Sequence, residues 1–156
     1  MSVQHNHKHC IQHALASAEE ICRDRNLRLT PVRKRILELI WSSHKTVGAY
    51  DLLDSFRHDM PSAKPVTIYR ALEFLLAAGL IHKVESLNAF IGCKQPETVH
   101  RSAILICDHC HNAYEVEAYS VVQDIFALSQ QISFTPRQLT LEVRGICADC
   151  QQIPSN

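Results

Sequence analysis

The chain has 156 residues, 46% of them hydrophobic, and it contains 7 cysteines. That length allows one domain of ordinary size or two small ones, and we expect two small ones. The longest uncharged apolar stretch, residues 74–81, is too short to span a bilayer, and the N-terminal residues lack an apolar signal segment. We therefore expect a soluble cytoplasmic protein whose cysteines are thiols or metal ligands rather than disulfides.

The formal net charge is zero, but the charged residues are unevenly distributed. Residues 1–84 hold 12 Lys and Arg against 8 Asp and Glu, whereas residues 85–156 hold 4 against 8. This asymmetry predicts a basic half that faces a polyanion, although a solvated helix face would also explain the pattern. The densest basic stretch comprises Arg23, Arg25, Arg28, Arg33, Lys34 and Arg35.

The first ten residues are polar and carry His5, His7, His9 and Cys10. We predict a disordered tail over residues 1–10, with at most a weak capacity for metal. After this tail, apolar residues recur at helical spacing. They indicate a first helix in which Cys22 is a small core residue.

Three more helices and a hairpin are predicted next. Thr30 is placed to cap the second helix, with Pro31 at its first position, and a third helix runs from about residue 49 towards residue 61.

The fourth helix begins at Pro65 and stops at Gly79. Two short strands, residues 81–85 and 89–93, then complete the order of a winged helix-turn-helix. The inward stripe of the fourth helix comprises Ile68, Leu72 and Leu75.

The second half predicts a small α/β domain. Apolar residues thin out around Pro96, so we place a hinge over residues 94–102, between a DNA-binding domain at 11–93 and a second domain at 103–152. Strands are predicted at 103–107 and 113–117, followed by a helix and a last strand in which Leu139, Leu141 and Val143 alternate. One helix on such a sheet leaves a face or an edge unprotected, which suggests a dimer.

Two Cys-x-x-Cys knuckles are the strongest local signal. Four thiolates at this spacing can form one tetrahedral zinc site, and such a closed site is structural rather than catalytic. The alternative, a redox-active pair, normally uses a single knuckle near a βαβ start. The four residues are Cys107, Cys110, Cys147 and Cys150.

Several motifs together resemble the ferric uptake regulator family of bacterial metal-sensing repressors. They are Leu29-Thr30-Pro31 followed by Arg33, the run Val-Thr-Ile-Tyr-Arg-Ala-Leu at 66–72, and the two knuckles. Residues 49–53, 63–65 and 82–86 are similar to the zinc uptake regulator branch. The resemblance covers about residues 15–150.

The resemblance implies an α+β protein with a winged-helix DNA-binding domain and an α/β dimerisation domain, which represses promoters as a homodimer when zinc is bound. It implies two zinc ions per chain and a role in controlling zinc uptake genes. The four cysteines match the structural zinc ligands of the family. The regulatory zinc ligands of the zinc branch match His82, Cys93, His100 and Glu115.

The regulatory set offers two imidazoles, one thiolate and one carboxylate, which suit tetrahedral zinc better than an octahedral hard ion. Glu117 shares a strand face with Glu115, so the residues alone do not decide between them. Because these ligands are spread over both predicted domains, one ion would bridge them. Only His100 precedes the first knuckle closely, so we do not expect a third metal site of the iron-sensor type.

DNA reading is predicted for the fourth helix. Arg70 can donate two hydrogen bonds to guanine, and Tyr69 can contact a thymine methyl group or a phosphate. Thr67 and Lys64 are expected to anchor phosphates, while Arg28, Arg33 and Lys34 are expected to act through charge. The structural alternative is that Tyr69 packs and Arg70 pairs with Glu73.

Two other functions compete with a zinc-dependent repressor. A zinc hydrolase would need an open coordination position, and no His-Glu-x-x-His motif or nucleophile triad is present, so we do not expect an enzyme. An iron, manganese or peroxide sensor on the same scaffold, with Cys93 as an oxidisable thiol, is the nearer alternative.

Overall fold

The computed structural model describes residues 7–97 and 101–152. The chain divides into two compact units, Met1–Glu97 and Thr98–Asn156. This division lies inside the range predicted as a hinge, residues 94–102. His5, in the predicted tail, and His100, a predicted zinc ligand, lie outside the described residues.

Four helices form most of the first unit. Thr30 caps the second of them as predicted, because its side chain accepts a hydrogen bond from the backbone N–H of Arg33 at 3.4 Å, and Pro31 is the first helical residue. The helices are α1 (His7–Asp24), α2 (Pro31–Trp41), α3 (Ala49–Arg57) and α4 (Pro65–Ala77).

The start of α1 corrects the predicted tail. Residues 7–10 are helical rather than disordered, because the buried Ala14 and Ala18 anchor the helix and its hydrogen-bonding pattern extends from them towards the N-terminus. Cys22 is 2% exposed, as expected of a core residue.

Helix α4 ends as the sequence predicts. Gly79 adopts a left-handed φ of 74°, and the backbone N–H of Leu80 donates to the carbonyl of Leu75 at 2.9 Å, which is a Schellman ending. The predicted inward stripe is confirmed, since Ile68, Leu72 and Leu75 are at most 2% exposed. They pack in one core with Ile36 and Ile40 of α2.

A three-stranded antiparallel sheet completes the first unit. The predicted hairpin strands are β2 (Ile81–Val84) and β3 (Ala89–Gly92), and β3 also pairs with β1 (Val47–Gly48). Strand β1 has two residues, which is too short to leave a periodic pattern in the sequence. The order of helices and strands from α2 to β3 is that of a winged helix-turn-helix.

The second unit is a small α/β domain. Its sheet has the order β5-β4-β6, with β4 antiparallel to β5 and parallel to β6. The last strand begins at Glu142 and not at Leu139, because Leu141 makes a single backbone bond to Ile104 outside the ladder. The elements are β4 (Ser102–Cys107), β5 (Ala113–Glu117), α5 (Tyr119–Gln131), β6 (Glu142–Gly145) and α6 (Ala148–Gln151).

The expected α+β fold is therefore confirmed. Within the part of the chain that the structure describes, no helix combines the length and the apolar character needed to traverse a bilayer.

Candidate metal centres and nucleic-acid interface

The two cysteine knuckles meet at one end of the second unit's sheet. Cys107 ends β4, and its register partner across the parallel pair is Gly145, two residues before Cys147. This pairing brings the four sulfur atoms of Cys107, Cys110, Cys147 and Cys150 within 4.8 Å of one another. Knuckles 36 residues apart in sequence thus converge because parallel strands carry them to the same sheet edge.

The spacing of the sulfurs fits one tetrahedral zinc ion. Zinc–sulfur bonds of 2.3 Å place two sulfurs of a regular tetrahedron about 3.8 Å apart. The Sγ atoms of Cys110 and Cys147 are 3.8 Å apart. Four protein ligands leave no position for water or substrate, so this donor set suits a structural ion.

Backbone N–H groups favour the ionised form of one thiol in this cluster, which is the form that binds a cation. The N–H groups of Cys110 and Cys147 lower the pKa of the Cys107 thiol to about 6, and the latter N–H lies 3.4 Å from the Cys107 sulfur. In contrast, a hydrogen bond with the Cys147 thiol and burial raise the pKa of Cys150 to about 12. Two of the four ligands therefore differ sharply in how readily they ionise.

A salt bridge spans the two knuckle segments. The guanidinium of Arg144 lies 2.8 Å (Nε) and 2.6 Å (Nη2) from the carboxylate oxygen Oδ1 of Asp108. Both side chains are more than one third exposed, so the pair contributes less than about 1 kcal/mol. Its effect is to hold the start of one knuckle beside the strand that leads into the other.

A second group of metal-ligating residues begins on the wing of the first unit. His82 lies on β2, and Cys93 follows β3, with their ligand atoms within 4.8 Å of each other. Cys93 is 3% exposed, and its backbone N–H donates to the carbonyl of Leu80 at 3.0 Å. The hairpin pairing thus holds an imidazole and a thiol side by side.

The other two predicted ligands belong to the second unit. Glu115 is half-buried on β5, and Glu117 on the same strand is exposed. His100 lies outside the described residues.

The first turns of α4 present polar and aromatic side chains to solvent. Lys64 and Arg70 are exposed, Thr67 is half-buried, and Tyr69 is 45% exposed. Among the described residues no ion pair joins Arg70 to Glu73. The pairing that would give Arg70 a purely structural role is therefore not formed.

Most of the basic stretch is engaged within the first unit. Arg25 donates to the carbonyl of Ala78 at the end of α4 at 3.0 Å, and Arg33 stacks on Phe74 with its guanidinium 3.7 Å from the ring centre. Lys34 pairs with Glu19 of α1, and Arg35 pairs with Glu38 and Asp59. Arg25 and Arg33 thus contact α4, and Lys34 links α2 to α1, contacts that charge counting does not reveal.

An apolar row crosses the outer face of the second unit's sheet. Tyr114, Leu105 and Val143 are register neighbours on the three strands, and they are 37%, 36% and 54% exposed. With Ile146 they line a groove of about 390 Å³. A contiguous exposed apolar surface of this kind is typical of a protein–protein contact.

A winged-helix unit followed by a small α/β unit with a four-cysteine cluster defines a metal-dependent DNA-binding regulator. The model of the "Ferric uptake regulator family" matches residues 24–144. The chain belongs to the ferric uptake regulator family, which confirms the resemblance seen in the sequence.

Individual relatives are closely similar. The "Zinc uptake regulation protein" of Escherichia coli (strain K12) is 44% identical over 144 residues, which is 91% of this chain and 84% of that protein. A solved "Zinc Uptake Regulator Complexed With Zinc AND DNA" superimposes with a TM-score of 0.87 at 43% identity, covering 91% of this chain and 95% of that one. A holo XcZur crystal structure gives 0.82 at 44% identity, covering 89% and 97%.

Proposed function

We propose that this chain is a zinc-responsive transcriptional repressor that binds palindromic promoter DNA as a homodimer and controls zinc uptake genes. The observation that carries the proposal is the similarity, along about nine tenths of the chain, to a zinc uptake regulator complexed with zinc and DNA. The relatives are named as regulators, so its role is binding rather than catalysis. It acts in the cytoplasm, where promoter DNA is accessible.

The first zinc ion is structural and is held by the four cysteines of the knuckles. The sulfur spacing supports this assignment. The second unit is small, with few fully buried side chains, and domains of this size commonly need a metal for stability. Zinc here closes the sheet edge at which β4 and β6 end.

The second zinc ion is regulatory, and its ligands are His82, Cys93, His100 and Glu115. The side-by-side imidazole and thiolate on the wing support the assignment, and a soft thiolate favours zinc over iron or manganese. Glu115 is preferred to Glu117 because it is half-buried. One ion bound by residues of both units couples zinc occupancy to the arrangement of the DNA-binding unit.

Such coupling can control DNA binding. A dimer reads two half-sites when its recognition helices are about 34 to 36 Å apart, or a multiple of that distance. Shifting a population from 1:99 to 99:1 requires roughly 5.5 kcal/mol of preferential binding, which a multidentate zinc site can supply. The homodimer is supported by the apolar row of Tyr114, Leu105 and Val143.

DNA contacts are assigned to the exposed part of α4. Arg70 reads a base, Tyr69 contacts a base or a phosphate, and Lys64 and Thr67 anchor phosphates. Arg28 is exposed and adds electrostatic attraction. Arg33 and Lys34 contribute charge from their fixed positions against Phe74 and Glu19.

A zinc titration tests this function. Binding of the purified chain to a library of palindromic promoter sequences is followed by fluorescence anisotropy at increasing free zinc, and metal content is measured in parallel. We expect zinc-dependent binding to a subset of sequences and two zinc ions per chain. One zinc together with iron would instead indicate the iron or peroxide sensor.

The ligand assignment is tested with Cys93→Ser, for which Cys22→Ser is the matched control. Both thiols are buried, 3% and 2% exposed, so the two variants lose a comparable group. We expect the zinc dependence of DNA binding to disappear in the first variant and to remain in the second. An unchanged zinc requirement in Cys93→Ser would remove this residue from the regulatory site.

A further inference from the structure

Helix α1 carries three metal-ligating side chains within its first two turns that the proposed function leaves unused. They are His9, Cys10 and His13. Both histidines are exposed and the cysteine is half-buried. The sequence predicted a disordered tail up to residue 10, whereas the structure places His9 and Cys10 on the same helix as His13.

The helical geometry places the three donors together. The buried side of α1 is defined by Ala14, Ala18 and Cys22. With about 100° of rotation per residue, His9 and His13 are about 40° apart on the solvent side, and Cys10 is about 60° from His13 at its flank. Residues four apart on a helix have Cβ atoms about 5–6 Å apart, which is close enough for two imidazoles to share one ion.

The donor types select a class of ligand. Two histidines at this spacing on one helix face are the arrangement found in helical zinc motifs. Adding a thiolate makes a set that prefers zinc or another late first-row divalent cation over magnesium or calcium. We propose that His9, His13 and Cys10 form a surface site for such a cation, with the remaining coordination position open to water.

This site binds more weakly than the four-cysteine cluster. Its ligand atoms are not gathered within 4.8 Å, in contrast to those of the knuckles, so the side chains must turn to meet on one ion. Exposed side chains turn within nanoseconds, but the adjacent Lys8 and the positive end of the helix dipole oppose a cation. The site therefore fills only after the tighter sites are occupied.

The test compares zinc stoichiometry between the full-length native chain and His9→Ala/His13→Ala by calorimetry, with zinc as the only added metal. We expect the native chain to bind one zinc more than the double variant. Amide hydrogen exchange in the first two turns of α1 should slow as that last zinc binds, because the ion joins successive turns.

A spacing control separates chelation from the mere number of histidines. The double substitution His13→Gln/Ala16→His keeps both imidazoles but separates them by seven residues, about 10 Å along the axis, and should also lose the extra zinc. Equal stoichiometry in the native and His9→Ala/His13→Ala chains would overturn the proposal. So would an extra zinc that survives in that variant and vanishes in His5→Ala/His7→Ala.

Discussion

The indole ring of Trp41, at the end of α2, packs against Gly92 so closely that a Cβ atom on residue 92 would lie 2.1 Å from Cε2 of the ring. Gly92 directly precedes Cys93, and Trp41 is the chain's single tryptophan. The absence of a side chain at residue 92 therefore fixes how β3 approaches α2. It also determines the position of the Cys93 thiol, a proposed zinc ligand.

Substituting Gly92→Ala should destabilise the first unit. The methyl group would meet three atoms of the indole at 2.1, 2.3 and 2.6 Å, and overpacking of this kind costs roughly 1 to 3 kcal/mol. Urea unfolding followed by Trp41 fluorescence measures both the loss and the displaced ring. The control is Gly145→Ala in the second unit, where a Cβ meets nothing within 4 Å. Its unfolding is followed by circular dichroism, because Trp41 reports on the first unit, and the change should stay below about 0.5 kcal/mol. Equal effects of the two substitutions would contradict this account.

Substituting Arg25→Ala should weaken the anchoring of α4. The lost hydrogen bond to the carbonyl of Ala78 involves a charged donor at a helix C-terminus, so we expect a destabilisation of about 1.5 to 3 kcal/mol. Arg23→Ala is the matched control, because Arg23 is 74% exposed and lies 4.0 Å from its nearest partner, Asp24. That control should change the unfolding free energy by less than about 0.5 kcal/mol.

The salt dependence of DNA binding distinguishes this role of Arg25 from a phosphate contact. Removal of a phosphate contact lowers the slope of log affinity against log salt by about 1. For Arg25→Ala we expect an unchanged slope, because the guanidinium is directed at the protein backbone. A reduced slope would show that Arg25 contacts DNA.

Local signals in the sequence predicted most of the fold. Thr30, Pro31, Pro65 and Gly79 act through their own backbone and capping chemistry, so the boundaries of α2 and α4 could be recognised from the sequence alone. Strand β1 could not be predicted, because its two residues are extended only by pairing with β3. The roles of Arg25 and Arg33 depend on tertiary contacts with α4, and a charge pattern cannot separate such contacts from DNA binding.

The metal ligands likewise fall into two groups, those that a local sequence motif reveals and those that only the folded structure brings together. The cysteine knuckles were recognisable because each Cys-x-x-Cys is local, and the parallel pairing of β4 with β6 then brings the two knuckles together. His82 and Cys93 are distant in sequence and sit in ordinary strand surroundings, so their proximity depends on the hairpin register. Only the family resemblance singled them out.

Substituting Arg70→Ala should reduce specific DNA affinity by roughly 1 to 3 kcal/mol, with the loss concentrated at one base position, if its guanidinium pairs with a guanine edge. Lys64→Ala is the control, since a phosphate contact is lost equally on every sequence and lowers the salt slope by about 1. Affinities measured across single-base variants of the best palindrome separate the two patterns. A uniform loss for Arg70→Ala would reassign it as a phosphate anchor.

Zinc binding at the four cysteines should weaken as the pH falls. In the metal-free state Cys150, whose pKa is raised to about 12, retains its proton at neutral pH and must release it to bind zinc. Cys110, whose pKa is also raised above its ordinary value, releases a second proton. Apparent affinity should therefore fall by about a hundredfold for each unit of pH lowered towards 7.

Cys107 makes the pH dependence steeper at acidic pH. Because its pKa is lowered to about 6, this thiol is ionised without metal above that pH and releases a proton to zinc only below it. Below pH 6 at least three protons, those of Cys107, Cys110 and Cys150, compete with each ion, so the loss should reach about a thousandfold per unit. Competition with a chelator of known proton affinities, using Cys93→Ser to remove a ligand of the other site, measures both slopes. An affinity that stays constant from pH 9 to pH 7 would contradict the assigned protonation of Cys150, and one slope throughout would contradict that of Cys107.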